Sequence, residues 1–271
     1  MTMPVLSVRH LSIDYVGAEA DFHAVKDVSF DIAPGEFFGL AGESGCGKST
    51  IAFAVNRLHK PPALIRAGSQ ILVDGRDVLA LGDEELRDFR WREVAMVFQS
   101  AMNSLNPVLT IETQFYDVLR THAGMSRAQA RARAAELLEL VDISPDRLSA
   151  YPHQCSGGMR QRIVIAICLA LHPKLLIMDE PTTALDVVVQ REILQRIERL
   201  RRELGFAVLF ITHDLNLMVQ VSDRIGIMLE GELVEVGEAR AIYRAPQHPY
   251  TQRLWASMPR LHGEQIGQGA G

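Results

Sequence analysis

The sequence predicts an α/β fold in which a mostly parallel sheet is flanked by helices. It adds an antiparallel β subdomain at the N-terminus and an inserted helical subdomain. Three patterns lead to this prediction: strand-like alternation near residue 30, helical periodicity from about 100 to 150, and alternating apolar strands and helices thereafter. A chain of 271 residues with 48% hydrophobic residues can bury a core of this size.

The N-terminal part reads as β structure. Val28, Phe30 and Ile32 alternate with polar residues, and Pro34-Gly35 then turns the chain. The apolar stretch 37–41 follows and runs into a glycine-rich loop and then a helical pattern, so we expect a strand, a loop and a helix.

The middle of the chain reads as helical. Ser126 and Gln129 form a capping-box pattern at the start of one predicted helix. The apolar residues that share one face of this helix are Ala130, Ala134, Leu137, Leu138 and Val141. We therefore expect a helical subdomain over about 100–151, inserted between core segments at about 1–99 and 152–245.

The remaining core elements alternate between strand and helix. The strand at 175–178 precedes a helix with Ile193, Ile197, Leu200 and Leu204 on one face, and a second strand follows at 207–211. We expect a single domain over 1–262, with a C-terminal extension at 246–262. Residues 263–271 have too few apolar side chains to offset ordering entropy and are predicted to be a disordered tail.

Charge and composition narrow the function. A net charge of −5 and a pI of about 6.0 give no basic surface for nucleic acid, so no nucleic-acid partner is expected. No apolar run reaches the roughly 20 residues that span a bilayer, and no secretory leader is visible, which favours the cytoplasm. Cys46, Cys155 and Cys168 fit neither a disulfide framework nor a metal site, and we expect reduced structural thiols.

The glycine-rich loop carries the first chemical motif. It matches G-x-x-x-x-G-K-[ST] between a strand and a helix, as a phosphate-binding loop requires. Lys48 is predicted to reach the β- and γ-phosphates of a nucleotide, and Ser49 to ligate Mg²⁺. The residues predicted to contact ATP here are Gly42, Glu43, Ser44, Gly45, Cys46, Gly47, Lys48, Ser49 and Thr50.

A second motif consists of a buried strand that ends in two carboxylates. Asp179 is predicted to hold Mg²⁺ through water, and Glu180 to orient and polarise the attacking water. Together the two motifs predict a P-loop nucleotide hydrolase. They leave kinase, GTPase, helicase and transporter ATPase open.

Ser156-Gly157-Gly158, which precedes Asp179 in the chain, resembles the signature of the ATP-binding cassette (ABC) ATPase family. That resemblance implies that Ser156, Gly157 and Gly158 bind the γ-phosphate of an ATP held by an opposing subunit. Further matches occur in family order over roughly 5–259. They imply that Gln99 senses Mg²⁺ and water, that His213 contacts the γ-phosphate, and that Asp186 bridges the two subunits.

The family also places an aromatic residue before the phosphate loop, where it stacks on adenine. Tyr15 occupies this position, with Phe22 as a rival. Cys155 departs from the family pattern, which more often has a larger apolar residue before the signature serine. This departure concerns packing and leaves the predicted phosphate contact in place.

Three longer stretches resemble the importer subgroup that handles peptides, nickel and some oligosaccharides. They are 98–107, 179–187 and 248–251. The resemblance implies a second ABC ATPase subunit, two transmembrane permease subunits that dock at 100–107, and an extracytoplasmic solute-binding protein that acts indirectly. The chain would then sit peripherally on the cytoplasmic face of the inner membrane and couple ATP hydrolysis to uptake.

Other readings of the same motifs stay open. A similar cassette occurs as an accessory chain of a phosphonate-cleaving complex, which would not transport anything. DNA-repair and translation ATPases use the cassette too, usually with coiled-coil insertions or tandem cassettes, and neither pattern is seen within these 271 residues. A small-molecule P-loop kinase would have no use for a signature that acts across a dimer.

Overall fold

The computed structural model describes residues 3–17, 20–99, 101–181 and 186–257. The strands are β1 (Leu6–Tyr15), β2 (Phe22–Ile32), β3 (Phe37–Gly42), β4 (Ala63–Ile65), β5 (Gln70–Val73), β6 (Arg76–Asp77), β7 (Val94–Val97), β8 (Leu175–Asp179), β9 (Ala207–Ile211), β10 (Arg224–Leu229) and β11 (Glu232–Glu238). The α-helices are α1 (Lys48–Val55), α2 (Asp83–Arg92), α3 (Ile111–Ala123), α4 (Arg127–Leu140), α5 (Gly157–Cys168), α6 (Val187–Leu204), α7 (Leu215–Val221), α8 (Ala239–Arg244) and α9 (Pro249–Ala256). In this part of the chain, no helix has the length and apolar character needed to cross a membrane.

The N-terminal sheet is antiparallel, as predicted. Its strand order is β2-β1-β5-β6, and β4 pairs with β1 outside this path. The alternating apolar residues predicted near position 30 lie in β2, which pairs with β1. Phe30 stacks on Phe38 of β3 with ring centroids 5.2 Å apart, so a shared apolar layer joins this sheet to the central one.

The central sheet has the order β11-β10-β3-β9-β8-β7. The strands from β10 to β7 are parallel, and β11 pairs antiparallel with β10. All residues of β8 and β9 are buried, which explains their continuous apolar sequences. Because parallel strands end at the same edge, the carboxyl ends of β3 and β8 lie on one edge of the sheet. The predicted fold class is confirmed.

The helix predicted to begin at Ser126 is present as α4, and the predicted capping box is confirmed. Ser126 accepts from the amide of Gln129, whose side chain in turn accepts from the amide of Ser126. The five residues of the predicted apolar face are all buried, and they pack with α3 and α5 in one core. The predicted apolar helix at 193–204 lies within α6.

The C-terminal elements pack back onto the core. Glu235 of β11 accepts hydrogen bonds from the amides of Gln247 (2.8 Å) and His248 (3.1 Å), just before α9. Trp255 of α9 meets Tyr243 of α8 edge to face, with ring centroids 5.5 Å apart. These contacts attach α9 to the central sheet. The tail predicted at 263–271 lies outside the described residues.

Candidate nucleotide site

The phosphate loop connects β3 to α1 and takes a backbone path that requires glycine. Gly42 and Gly47 have φ values of 148° and 105°. A Cβ on Gly42 would lie 2.3 Å from the carbonyl oxygen of Met228, and one on Gly47 would lie 2.4 Å from that of Ala24. Any side chain here would therefore displace the neighbouring backbone.

Lys48 folds over this loop. Its ammonium donates to the carbonyl oxygens of Gly42 (2.8 Å) and Glu43 (2.7 Å), and the residue is only 7% exposed. The cation is thus held at the loop, where the amides at the start of α1 also add partial positive charge. This arrangement fits the phosphate chain of a nucleotide.

Ser49 and Asp179 meet beneath the loop. The Ser49 hydroxyl donates to Oδ1 of Asp179 at 3.0 Å, although 130 residues separate them in sequence. Burial raises the pKa of Asp179, as does the charge of Glu180, while the Ser49 hydrogen bond and Lys48 act in the opposite direction. A hydroxyl and a buried carboxylate are hard oxygen ligands of the kind Mg²⁺ prefers, so the pair fits that ion.

The three predicted catalytic side chains come together at Glu180. Gln99 Nε2 donates to Glu180 Oε2 at 3.2 Å, and His213 Nδ1 lies 3.5 Å from Oε1. Glu180 follows β8 with a φ of +46°, and its amide donates to the carbonyl of Ile211 at 2.9 Å. This unusual backbone conformation turns the carboxylate away from the sheet, toward Gln99 and His213.

The signature residues lie at the start of α5. Ser156 caps this helix by accepting from the amide of Met159 at 3.2 Å, and a Cβ on Gly158 would lie 2.9 Å from Cγ1 of Val189 on α6. Asp186 caps α6 in the same way, through the amide of Val189 at 3.0 Å. A cavity of about 500 Å³ is lined by all four predicted residues, namely Ser156, Gly157, Gly158 and Asp186. The family match at 182–185 lies outside the described residues.

Tyr15 ends β1 beside the first turn of α1. Its ring meets His59 edge to face with centroids 6.3 Å apart, and His59 Nε2 contacts the carbonyl of Thr50 at 2.8 Å. The rival Phe22 pairs with Tyr15 across β1 and β2 and is 60% exposed. It lines a cavity of about 350 Å³ with the loop residues Glu43, Ser44, Gly45 and Cys46. Both aromatic rings therefore lie near the loop.

The sequence interpretation missed two residues at this site. His59 lies between Tyr15 and the start of α1, and Tyr250 of α9 contacts the amide of Glu43 at 3.2 Å. Neither belongs to a phosphate-loop pattern. The match at 248–251 drew attention to Tyr250 only as a subgroup marker.

Family models match two parts of this chain. The ABC transporter model matches 25–183, and the model of the oligopeptide/dipeptide transporter C-terminal region matches 234–270. The peptidoglycan transport ATP-binding protein YejF of Agrobacterium fabrum (strain C58 / ATCC 33970) is 47% identical over 96% of this chain, which spans 48% of that relative's length. The dipeptide transport ATP-binding protein DppD of Bacillus subtilis (strain 168) is 44% identical over 95% of this chain and 77% of its own.

Solved structures show the same fold. A dimeric, post-hydrolysis structure of the ATP-binding cassette MJ0796 bound to ADP and Pi has a TM-score of 0.75 and 31% identity, and covers 87% of this chain and 99% of its own. CbiO1 of Clostridium perfringens, part of the ABC transporter complex cbiONQ, has a TM-score of 0.77 and 25% identity over 89% of this chain and 91% of its own. Family models, relatives and structures agree, and the chain belongs to the ABC transporter family as one of its ATP-hydrolysing cassettes.

Proposed function

We propose that this chain hydrolyses ATP to drive uptake of di- or oligopeptides through an ABC importer. The observation that carries the ATPase part is the assembly of Lys48, Ser49, Asp179 and Glu180 at one edge of the central sheet. The peptide part is supported by the match of 234–270 to the oligopeptide/dipeptide transporter C-terminal region and by relatives named for dipeptide and oligopeptide transport.

Each residue of the site has a role in this proposal. The backbone amides of the loop and the Lys48 ammonium bind the phosphates, and Tyr15 stacks on adenine. Ser49, Asp179 and Gln99 would hold Mg²⁺, which would neutralise phosphate charge. Glu180 orients and polarises the attacking water, flanked by Gln99 and His213 at 3.2 and 3.5 Å.

The position of the signature supports the proposal of a dimer. The cavity lined by Ser156, Gly157, Gly158 and Asp186 includes none of the phosphate-loop residues. The N-terminus of α5 favours an anion there, while the three arginines that line the cavity are balanced by the carboxylates of Asp142, Asp186 and Glu192. We therefore propose that a second cassette, identical or different, places its ATP against this cavity, and that Asp186 bridges the two subunits.

The segment after Gln99 is the proposed contact with the permeases. Phe98 and Val108, which flank the segment 100–107 on either side, are 42% and 75% exposed, whereas Ala101 and Leu105 inside it are buried in the core. Exposed apolar side chains on a buried base suit a helix from a membrane subunit. Because Gln99 contacts Glu180, docking here would be linked to the hydrolytic site.

The proposal also assigns roles to the subdomains and a location to the chain. Residues 100–151 would form the helical subdomain that carries signals between permease and nucleotide, and 246–262 a C-terminal extension of one domain over 1–262. The chain would lie on the cytoplasmic face of the inner membrane, where two permease subunits hold it. A solute-binding protein on the other side would deliver the peptide.

Glu180→Gln tests the ATPase assignment. The amide keeps the shape of the side chain but cannot polarise water as a carboxylate does, so we expect turnover to fall by about 10²- to 10⁴-fold. ATP binding should persist, and an ATP-dependent dimer should accumulate. Glu203→Gln, on the exposed face of α6, is the matched control. Normal hydrolysis by Glu180→Gln would show that Glu180 does not have this role.

A purification and an uptake assay test the transport assignment. The tagged chain, extracted from native membranes with detergent, should bring down two multi-span proteins and a second cassette. Cells that lack the chain should lose uptake of a radiolabelled dipeptide or oligopeptide, and the unaltered gene, but not Glu180→Gln, should restore it. Loss of nickel or oligosaccharide uptake instead would reassign the substrate. Recovery of the chain with soluble enzymes alone would refute transport.

A further inference from the structure

Tyr250 connects the C-terminal helix to the phosphate loop. It lies in the first turn of α9 and is 4% exposed. Its hydroxyl oxygen accepts a hydrogen bond from the amide of Glu43 at 3.2 Å, across 207 residues of sequence. Glu43 is the second residue of the loop, so a side chain from the end of the chain directly contacts the backbone of the nucleotide site.

The peptide unit that Tyr250 contacts is also the one that holds Lys48. The N–H of Glu43 and the C=O of Gly42 belong to one planar peptide group. The N–H donates to Tyr250, and the C=O accepts from the Lys48 ammonium at 2.8 Å. Because the group is planar, a bond to one end orients the other. Gly42, with a φ of 148°, gives this peptide backbone freedom that a side chain would remove.

Tyr250 is itself held in place by the sheet. Glu235 of β11 accepts from the amides of Gln247 and His248, and His248 Nδ1 accepts from the amide of Tyr250 at 3.2 Å. Strand β11 pairs with β10, which pairs with β3, the strand that leads into the loop. The structure therefore contains a closed path from β3 through β11 and α9 back to the phosphate loop.

We propose that Tyr250 is a positioning residue for ATP binding, which orients the Gly42–Glu43 peptide and makes ATP affinity depend on the docking of α9. This inference deepens the proposed function and rests on its ATP site. Without the hydroxyl, the Lys48 ammonium alone orients this peptide, so the binding-competent loop is less populated. The apparent affinity for ATP falls in proportion to the population of the binding-competent loop. Hydrolysis at saturating ATP is unaffected, since bound phosphates restore the loop.

Tyr250→Phe tests this inference because it removes the hydroxyl and keeps the buried ring. The substitution removes the hydrogen bond to the Glu43 amide together with a contact to the Glu43 side chain, and it should weaken ATP binding about fivefold. The rate at saturating ATP and the melting temperature should change little. Tyr243→Phe removes a hydroxyl from a half-exposed ring on the neighbouring helix and should leave affinity unchanged. Isothermal titration with Mg-ATP and steady-state hydrolysis separate affinity from rate.

Glu235→Gln tests the path through α9. The glutamine side chain would present an NH₂ group to one of the two backbone amides, of Gln247 and His248, that now donate to the carboxylate. One of these hydrogen bonds is lost, so the start of α9 is held less firmly against β11. In this background Tyr250→Phe should weaken ATP binding by less than twofold, since its contact is already impaired. A full fivefold loss in both backgrounds would refute the path through α9.

The outcomes separate this inference from the proposed function. If the unaltered chain binds no ATP, the proposed function is wrong, and the proposed role of Tyr250 in ATP binding is refuted as well. If it binds ATP and Tyr250→Phe binds equally well, only the role of Tyr250 is refuted. A lower melting temperature with unchanged affinity would show that Tyr250 serves packing alone, and would likewise refute it.

Discussion

Gly47→Ala and Gly45→Ala form a matched pair that tests the geometry of the phosphate loop. Both glycines have positive φ, 105° and 81°, so alanine at either position is strained. Only Gly47 lacks space: a Cβ there would lie 2.4 Å from the carbonyl oxygen of Ala24, whereas one on Gly45 would have no atom within 4 Å. The two substitutions therefore share the backbone strain and differ in the clash.

The expected magnitudes follow from this difference. Left-handed backbone costs an L residue about 1–2 kcal/mol, which is our estimate for Gly45→Ala. At Gly47 the carbonyl of Ala24 must also move by about 0.6 Å to reach the 3.0 Å that real Cβ contacts respect. Displacing packed atoms typically costs a further 1–3 kcal/mol. We therefore expect Gly47→Ala to lower the free energy of unfolding by about 2–5 kcal/mol.

Urea unfolding without nucleotide, followed by circular dichroism, measures both losses. Omitting ATP matters because a methyl group on Gly45 would also face the phosphates, which would mix binding with stability. The free energy of unfolding should fall with urea concentration at the same slope in the variants as in the unaltered chain, so that differences in the unfolding midpoint report differences in stability. Equal losses for the two variants, or a larger loss for Gly45→Ala, would refute the argument from the Ala24 contact.

Two further predictions use the pKa directions of buried groups. Asp14 is 4% exposed and contacts His23 Nδ1 (2.6 Å) and Arg66; although burial acts in the opposite direction, these partners lower its pKa from the ordinary 3.8. A carboxylate whose pKa is lower in the folded than in the unfolded state stabilises the fold at pH values above the unfolded-state pKa. This stabilisation is lost as the pH falls through the folded-state pKa. The destabilisation by Asp14→Asn should therefore be largest above about pH 4 and should shrink below it. Urea unfolding from pH 7 to pH 3 checks this, and a gap that does not change with pH would contradict it. Burial raises the pKa of Cys168 to about 12, so at pH 8 only about one thiol in ten thousand is ionised. In a variant with Cys46 and Cys155 replaced by serine, we expect Cys168 to react with Ellman's reagent at least about a hundredfold faster in urea than in the native chain, and rapid native labelling of that variant would contradict its burial.

The site motifs could be predicted because the residues that form each motif lie close together in the sequence. Glycines, a lysine and a serine within eight positions carry the phosphate loop, and the capping box of α4 spans four residues. The continuous apolar runs of β8 and β9 predicted buried parallel strands for the same local reason. Short elements such as β6, which has two residues, have no period long enough to detect.

Contacts between distant residues required the tertiary structure. Gln99 reaches Glu180 across 81 residues, Ser49 reaches Asp179 across 130, and Tyr250 reaches Glu43 across 207. The phosphate-loop and carboxylate motifs predicted that Ser49 and Asp179 share a Mg²⁺ site, and the family resemblance implied that Gln99 joins it, but neither assigned a contact to Tyr250.

The sequence by itself therefore determined the fold class, the ATPase chemistry and the resemblance to importer cassettes, because periodicity and short motifs are local properties of the chain. Only the tertiary structure decided which atoms meet. Strand order and register set the distances between segments, as when β11 and α9 bring Tyr250 to the peptide that holds Lys48. No local pattern encodes that contact, since it depends on the packing of the whole sheet.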